Sequence, residues 1–436
     1  MGPPDAASVP LDSGSDGGLP DAEVDAGSSP ELDSLVARFG DPGITSDELD
    51  ALIHEVAWGL GWPATDGTRW LFATRWDDAP GSVSLVGDVV GWAPGRVANV
   101  SASGVHYWLV VDDSEFVVDA EGALYKWRAS DGGIFRAPPE ATRYGFDENG
   151  LFGYVAAPLD RRWRERFPDF ESSHLGATRA FRALLPAGFV PGSASAADAR
   201  TFFAHDGQNL FAPDAPHGGW RVDEALEASA SWDDVVVLAV DNAADRMSAY
   251  THVPDDIGGG PLGGQAEDYL DLVEDEALPF FRARYGVAAA GDSLAIAGSS
   301  LGGLVTLYGA MTRPAMAGCA IAMSSTLGWG AFGSDEAPDA LVNRWDTHGP
   351  VALYLGSGGT GTCSDGDGDG VAEDSEDSDN LCTSNQLRDR LVALGYVFDV
   401  DLFHWHEPGG LHDEAAWAMR VPRALAACAS SGWVGP

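Results

Sequence analysis

The sequence predicts an α/β fold with a mostly parallel sheet that helices cover on both faces, preceded by a small β-sandwich. After about residue 174, short apolar segments alternate with helical segments, the pattern of a doubly covered parallel sheet. Between residues 68 and 146, short alternating segments are separated by turn residues at the spacing of a small sandwich. In the stretch "AIAGSSLGGLVTLYGAM", an apolar segment becomes a helix through a turn of small residues.

Composition and charge exclude several classes of function. The chain has 436 residues and 45% apolar content, enough for two or three domains with sizeable cores. It carries 67 acidic and 25 basic residues, a formal net charge of −42. Such a surface repels phosphate backbones, so we expect no nucleic-acid partner. No apolar run approaches the roughly 18 residues of a membrane span, so we expect none.

The start of the chain and its cysteines indicate an exported protein. Residues 1–30 are rich in Asp, Ala, Gly, Ser and Pro and predict a disordered tether. We expect that a bacterial-type export signal has been removed ahead of this tether, and that the protein is secreted or tethered to the cell surface. Four cysteines, Cys319, Cys363, Cys382 and Cys428, allow three pairings or four free thiols. Cys363 and Cys382 bracket a hydrophilic loop, which favours a disulfide there.

Two further regions precede the α/β unit. Residues 31–66 predict a short helical segment with Thr45 or Ser46 as an N-cap. Its apolar residues recur at helical spacing: Leu49, Leu52, Ile53 and Val56. Residues 67–155 contain "VSLVGDVVGW", "VHYWLVV" and "YKW", which resemble the immunoglobulin-like early-set domains that precede many glycan-active enzymes. We expect a β-sandwich of that type here, followed by the α/β unit over residues 170–433.

Five residues of the α/β unit, Gly298 to Gly302, fit the motif G-x-S-x-G. They follow a predicted strand and precede a predicted helix, the context of a nucleophile elbow. Ser300 would project toward a substrate carbonyl, and the N–H of Leu301, at the helix N-terminus, would donate to an oxyanion. A plain strand-to-helix turn is the alternative interpretation.

A nucleophilic serine needs a base, and three histidines lie beyond the last predicted strand. His412 follows a Gly-Gly loop and opens the terminal helix, as a triad histidine should. His404 and His406, in "LFHWHEP", fit packing or substrate contact better. The triad acid should follow the strand "VALYLGSGG", where a long acidic insertion begins. We choose Asp379, close to the next helix, and the alternatives are Asp377, Asp365 and Asp374.

A second oxyanion donor should come from the loop after an early strand. The stretch "FFAHDGQNLF" supplies one, with a backbone N–H at Gly207 or Gln208. The alternative is a glycine turn beside a buried His205.

Several stretches together resemble the putative-esterase family, which includes esterase D, enterochelin esterase and the family-one carbohydrate esterases. They are "HDGQNLF", "GGW", "DNAADRMSAYT", "GGQAEDYLDLVEDEALPFFRARY", "AIAGSSLGGLVTLYGAM" and "GGLHDEAAWAMRVP". The resemblance covers about residues 173–433 and implies an α/β-hydrolase fold, a Ser-His-acid triad and no organic cofactor. The family's nucleophile, histidine and oxyanion donors then correspond to Ser300, His412, Leu301 and Gly207 or Gln208. The insertion around residues 360–380 departs from the family, whose members have a short turn carrying the acid there.

The insertion also fits the calcium-loop motif D-x-D-x-D-G-x5-E. Its expected ligands are Asp365, Asp367, Asp369, the carbonyl of Val371, Glu373 through water, and Glu376. A solvated acidic run is the alternative, because eight of the fifteen residues from Asp365 to Asp379 are acidic. The spacing favours calcium. No helix pair flanks the loop as in a calcium sensor, so we expect a structural ion.

These observations predict a secreted serine esterase. Because a sandwich domain precedes the α/β unit, we expect acyl groups, feruloyl or acetyl, on plant polysaccharide as its substrates. A siderophore trilactone esterase of the enterochelin type is one alternative, although its anionic substrate fits poorly with a charge of −42. A catalytically inactive glycan-binding surface protein with the same fold is the other, and the presence of both Ser300 and His412 argues against it.

Overall fold

A computed structural model describes residues 32–211, 215–332, 337, 339–373 and 378–435. Its N-terminal part contains helices α1 (Leu32–Phe39) and α2 (Ser46–Trp58) and strands β1 (Ala64–Thr65), β2 (Arg69–Arg75), β3 (Val83–Gly87), β4 (Gly91–Val97), β5 (Asn99–Val100), β6 (His106–Asp112), β7 (Leu124–Ala129), β8 (Phe135–Arg136), β9 (Arg143–Asp147) and β10 (Gly150–Tyr154). Of the two predicted N-caps for α2, Thr45 takes the position and forms a capping box with Glu48. The predicted tether, residues 1–30, lies outside the described residues.

Two sheets pack over a common apolar core in this N-terminal part. One sheet has the order β1-β2-β6-β5, and β3, β4, β7, β9 and β10 belong to the other. Their facing side chains form one buried cluster, in which the rings of Phe72 and Tyr125 lie 5.1 Å apart. Helices α1 and α2 contribute to a separate cluster together with Leu71 and Ala73 of β2. An immunoglobulin-like identity for this arrangement stays a prediction.

The remaining strands are β11 (Trp163–Glu171), β12 (Thr178–Leu185), β13 (Thr201–Ala204), β14 (Val236–Val240), β15 (Pro254–Asp255), β16 (Leu262–Gly263), β17 (Gly291–Ser299), β18 (Ala317–Met323), β19 (Ala352–Gly359), β20 (Ser378–Asp379) and β21 (Leu402–Pro408). The remaining helices are α3 (Ala194–Ala197), α4 (Val222–Glu227), α5 (Arg246–Ala249), α6 (Ala266–Asp271), α7 (Leu278–Tyr285), α8 (Leu301–Thr312), α9 (Leu341–Arg344), α10 (Leu381–Ala393) and α11 (Glu414–Ser430). A π-helical segment, Leu272–Ala277, joins α6 to α7. Residues 266–285 therefore form one continuous helical stretch of three parts.

The predicted parallel sheet is present. Strands β14, β13, β17, β18, β19 and β21 run parallel to their neighbours, and β12 and β11 continue the sheet antiparallel. The sheet extends further than the sequence indicates, because β11 also pairs with β9 through Arg164 opposite Tyr144. One mixed sheet therefore joins the two regions that the sequence predicts as separate domains.

Helices cover both faces of the parallel strands, as predicted. On one face, α6, α7, α8 and α10 contribute to a large buried cluster that includes Leu304 and Leu387. On the other face, α4 and α11 contribute to a second cluster that includes Leu226 and Leu425. The carboxyl ends of β13, β17, β18, β19 and β21 meet at one edge of the sheet, where ligands bind in such folds.

Two disulfides tie this part of the chain together. Cys319 of β18 is bonded to Cys428 of α11, and the predicted Cys363–Cys382 bond closes the acidic insertion. Of the helices described, none combines the length and apolar character needed to cross a membrane.

Candidate active site

Ser300 lies on a sharp turn between β17 and α8. Its backbone has φ 55° and ψ −123°, a conformation that is rare for a residue with a side chain. A Cβ on Gly298 would lie 2.1 Å from the carbonyl oxygen of Gly302, so only glycine fits there. A Cβ on Gly302 would lie 3.0 Å from a carboxylate oxygen of Asp206. Gly298 therefore permits the close approach of β17 to α8 that this turn requires, and Gly302 permits the close approach of α8 to the loop that carries Asp206.

Two backbone segments bring N–H groups to the same edge of the sheet. Leu301 is the first residue of α8, and Gly207 and Gln208 begin a helical turn after β13. The first N–H groups of a helical turn have no acceptor within that turn, so these three N–H groups are available to other acceptors. Gln208 lines a cleft with Ser300, and Gly207 is buried.

The loop that carries Gly207 is held by a buried carboxylate that the sequence analysis did not single out. Asp206 accepts two hydrogen bonds from Arg246, each 2.8 Å long, and one of 2.5 Å from Asn242. The adjacent His205 is fully buried with Nδ1 2.7 Å from the Tyr269 hydroxyl. Burial lowers the pKa of His205 to about 3, so the ring is neutral. The alternative interpretation of His205 as a packed, buried residue therefore fits.

His412 and Asp379 lie together. His412 Nδ1 is 2.7 Å from Asp379 Oδ1, and His412 immediately precedes the N-cap residue of α11. Asp379 reaches this place because β20 pairs with the end of β19, with Asp379 opposite Gly358. The acidic insertion therefore begins after β19, and the residues that end it pair with the carboxyl end of the same strand.

Further groups surround the Asp379 carboxylate. Its Oδ2 accepts a 2.6 Å hydrogen bond from Ser324 Oγ and a 3.0 Å hydrogen bond from Arg420 Nη1. Burial alone would raise the pKa of Asp379, but the hydrogen bonds from His412 and Ser324 and the charge of Arg420 reverse this effect. Its pKa therefore lies below the usual aspartate value, and the carboxylate is ionised. Sequence reasoning missed Ser324 and Arg420, because only the tertiary fold brings them to Asp379.

Ser300 and His412 line one cleft of about 330 Å³. Its walls carry mainly polar and charged side chains, among them Gln208, Asn242, Arg246 and Glu414. Ser300 Oγ is 3.5 Å from Thr326 Oγ1, and the described contacts include no hydrogen bond between Ser300 and His412. Such bonds are often long in unliganded enzymes and form when substrate binds.

The two other candidate histidines are on β21. His406 Nδ1 is 3.4 Å from Ser357 Oγ, and burial lowers the pKa of His404 to about 4. The described contacts join neither ring to Asp379 by a hydrogen bond. The preference for His412 over these two residues agrees with this geometry.

The acidic insertion brings three predicted calcium ligands together. One carboxylate oxygen from each of Asp365, Asp367 and Asp369 lies within 4.8 Å of the others. Glu373 accepts a hydrogen bond from the N–H of Gly366, and the carbonyl of Val371 is the other described candidate ligand. The sixth, Glu376, and the alternative triad acids Asp374 and Asp377 lie outside the described residues. Calcium binding stays a prediction.

The third alternative acid is Asp365. Its carboxylate is exposed and accepts hydrogen bonds from the N–H groups of Gly368 and Gly370. The carboxylate bonded to His412 is that of Asp379, as the sequence analysis preferred.

Comparisons with known proteins place these features in context. Residues 172–428, more than half of the chain, match the model of the family described as "Putative esterase". None of the curated proteins matches the sequence.

Several solved structures are similar to this chain in three dimensions but share little of its sequence. BES protein from Bacillus cereus is 15% identical over 60% of this chain and 93% of its own, with a TM-score of 0.44. The enterobactin esterase FES from Shigella flexneri is 14% identical over 85% of this chain and 96% of its own, with a TM-score of 0.44. A ferulic acid esterase is 15% identical over 61% of this chain and 99% of its own, with a TM-score of 0.42.

Proposed function

Because the chain belongs to the putative-esterase family, we propose that it hydrolyses carboxylic esters with Ser300 as nucleophile, His412 as base and Asp379 as acid. The observation that carries this proposal is the 2.7 Å contact between His412 Nδ1 and Asp379 Oδ1 beside the cleft that contains Ser300. With Nδ1–H donated to Asp379, Nε2 has the lone pair that a general base needs.

In the proposed reaction, Ser300 Oγ attacks the ester carbonyl carbon while His412 Nε2 takes the hydroxyl proton. The carbonyl oxygen becomes an oxyanion, which accepts hydrogen bonds from the N–H of Leu301 and of Gly207 or Gln208. His412 returns the proton to the leaving alcohol, and an acyl-enzyme remains. Water, deprotonated by His412, then releases the acid and restores Ser300. Asp379 holds the imidazole in one orientation and stabilises its positive charge.

For the substrate, we propose a feruloyl or acetyl ester on a plant polysaccharide. The walls of the cleft are mainly polar, which suits a hydroxyl-rich alcohol. Arg246 is a cation in these walls, but its Nε and Nη2 both donate to the Asp206 carboxylate, so it adds little net attraction for anions. A siderophore trilactone with several negative charges would be repelled by a chain of net charge −42. The two disulfides favour an oxidising compartment, and we propose that the protein is secreted or surface-tethered.

Hydrolysis of p-nitrophenyl acetate tests the proposed chemistry. Ser300→Ala should lower kcat by about 10⁶-fold, the effect of removing a triad nucleophile, while the melting temperature stays close to wild type. His412→Ala should act alike, and His404→Ala, the matched control on β21, should retain activity. An inactive wild-type protein would favour the glycan-binding alternative, and an active Ser300→Ala would exclude this nucleophile.

A substrate panel then separates the ester classes. We expect higher kcat/KM for feruloylated or acetylated xylan fragments than for long-chain p-nitrophenyl esters or a catecholate trilactone. Preference for the trilactone would replace the polysaccharide proposal with the siderophore alternative.

A further inference from the structure

A buried arginine lies directly behind the proposed triad acid. Arg420 is on α11, is only 1% exposed, and donates from Nη1 to Asp379 Oδ2 at 3.0 Å. The same Nη1 is 2.8 Å from Ser324 Oγ, and Nε donates to Glu407 at 3.1 Å. One guanidinium therefore joins α11 to the ends of β18, β20 and β21.

The space that Arg420 occupies is bounded by two glycines. A Cβ on Gly358 would lie 2.4 Å from Arg420 Nη2, and one on Gly410 would lie 2.6 Å from the same atom. Any larger residue at either position would push the guanidinium away from Asp379. The carboxyl end of β19 and the loop before His412 thus leave room for the Arg420 side chain.

The hydrogen bonds around Ser324 have only one consistent direction. Ser324 Oγ accepts from Trp417 Nε1 at 3.0 Å and from Arg420, neither of which can accept a hydrogen bond. Its own proton must then go to Asp379 Oδ2, 2.6 Å away. With Oδ2 held by two donors, the carboxylate cannot rotate freely, and Oδ1 is left for His412.

The charges of the cluster are also matched to the reaction. A buried carboxylate is costly without a cation, and Arg420 supplies that cation for Asp379. Glu407 lies on the other side of the guanidinium, so the three groups together carry one negative charge. His406 also faces this cluster, with a pKa that burial and Arg420 lower, and adds no charge at neutral pH. One net negative charge therefore remains to stabilise a protonated His412.

We propose that Arg420 is a positioning residue for the proposed ester hydrolysis, and this inference rests on that function. Arg420 acts through Asp379. It holds Oδ2, with Ser324, so that Oδ1 faces His412, and it supplies the cation that the buried carboxylate needs.

A double-mutant cycle tests this role with p-nitrophenyl acetate as the probe. We expect Arg420→Gln to lower kcat about tenfold to a hundredfold, by analogy with the loss caused by removing a residue that orients a metal ligand, with a smaller change in KM. Arg420→Lys keeps the charge and should recover part of the loss. In an Asp379→Asn background, Arg420→Gln should have almost no further effect, because the carboxylate through which it acts is gone. Arg423→Gln, an exposed change on the same helix, is the matched control.

The pH profile distinguishes positioning from general support of the fold. Removing a positive charge beside Asp379 favours the protonated imidazole, so the acid limb of kcat/KM should move to higher pH in Arg420→Gln. If that variant does not fold, Arg420→Lys and Ser324→Ala replace it in the test. Both should lower kcat at a temperature where their melting curves show that the protein is still folded.

Equal fractional losses in the wild-type and Asp379→Asn backgrounds, or an unchanged pH profile, would overturn the inference. An active Ser300→Ala would instead overturn the proposed function itself, so the two failures are distinguishable.

Discussion

The two halves of the candidate site are built in different ways. Ser300 is positioned by its own chain neighbours, since Gly298 and Gly302 and the first turn of α8 define the turn around it. Asp379 is positioned by partners far away in the sequence, with Ser324, Arg420 and His412 all contributing hydrogen bonds. The serine half therefore depends on local backbone geometry, and the acid half depends on long-range packing and charge.

This difference predicts how each half fails. A side chain added at Gly298 in the serine half should appear as loss of the fold around the elbow, because the backbone there has no room to adjust. Damage to the acid half should appear first in catalysis, because several partners share the work of holding one carboxylate. The following four experiments test this contrast, from the largest expected effect to the smallest.

Of these four experiments, the one on the triad acid has the largest expected effect. Asp379→Asn should lower kcat by about 10⁴-fold, because an amide cannot keep His412 in the correct tautomer. Steady-state kinetics on p-nitrophenyl acetate measure this, with exposed Asp389→Asn on α10 as a control of the same chemistry. A loss of less than tenfold would remove Asp379 from the triad.

The second effect concerns the elbow. Gly298→Ala would place a Cβ 2.1 Å from the Gly302 carbonyl, so we expect more than about 3 kcal/mol of lost stability or no soluble protein. Gly259→Ala meets no atom within 4 Å and should melt as wild type does. Denaturant unfolding of both variants checks this, and wild-type stability in Gly298→Ala would contradict the account of the turn.

The third effect separates the halves by pH. His205, behind the elbow, has a pKa of about 3 instead of about 6.5, so the unfolded chain binds its proton first as pH falls. The free energy of unfolding should drop by about 1.4 kcal/mol per pH unit from this group between pH 6.5 and 3. Asp379, whose pKa is lowered from 3.8, loses its contribution only below about that pH.

Unfolding curves measured from pH 6.5 to 3 test this separation. His205→Gln should flatten the pH dependence of stability, and His404→Gln should flatten it over a shorter range, because the His404 pKa is about 4. An unchanged slope in His205→Gln would show that this histidine is not the acid-sensitive group.

The smallest effect is expected in the acidic insertion. If calcium binds Asp365, Asp367 and Asp369, calcium at a hundred times its Kd should raise the free energy of unfolding by about 3 kcal/mol. Chelation should remove this stabilisation, and kcat should fall with it. Added calcium should restore both, and Asp367→Asn should be rescued only in part. Unchanged melting and kcat in chelator, with no calcium found by elemental analysis, would reject the calcium prediction.

The same contrast explains what the sequence predicts. The parallel sheet, its helices and the turn at Ser300 follow from local patterns and glycine spacing, and the structure contains them. Asp379 is the predicted triad acid because it lies close to the next helix in the sequence. In the structure its carboxylate is hydrogen-bonded to His412.

Other features could not be read from the sequence. The pairing of β9 with β11, which joins the two predicted domains in one sheet, depends on strand register between distant segments. Arg420 has no local signal, since an arginine in a helix is usually solvent-exposed. Its role is visible only in the folded structure, where it contacts Ser324, Asp379 and Glu407.

Covalent labelling tests the central claim most directly. A fluorophosphonate probe reacts when an activated serine oxygen attacks phosphorus and displaces fluoride, and peptide mass spectrometry then locates the adduct. We predict one adduct, on Ser300, in the wild-type protein. Labelling should be absent in Ser300→Ala and greatly slowed in His412→Ala and Asp379→Asn. An adduct at another residue, or equal labelling rates in wild type and His412→Ala, would contradict the proposal that Ser300 is a nucleophile activated by His412.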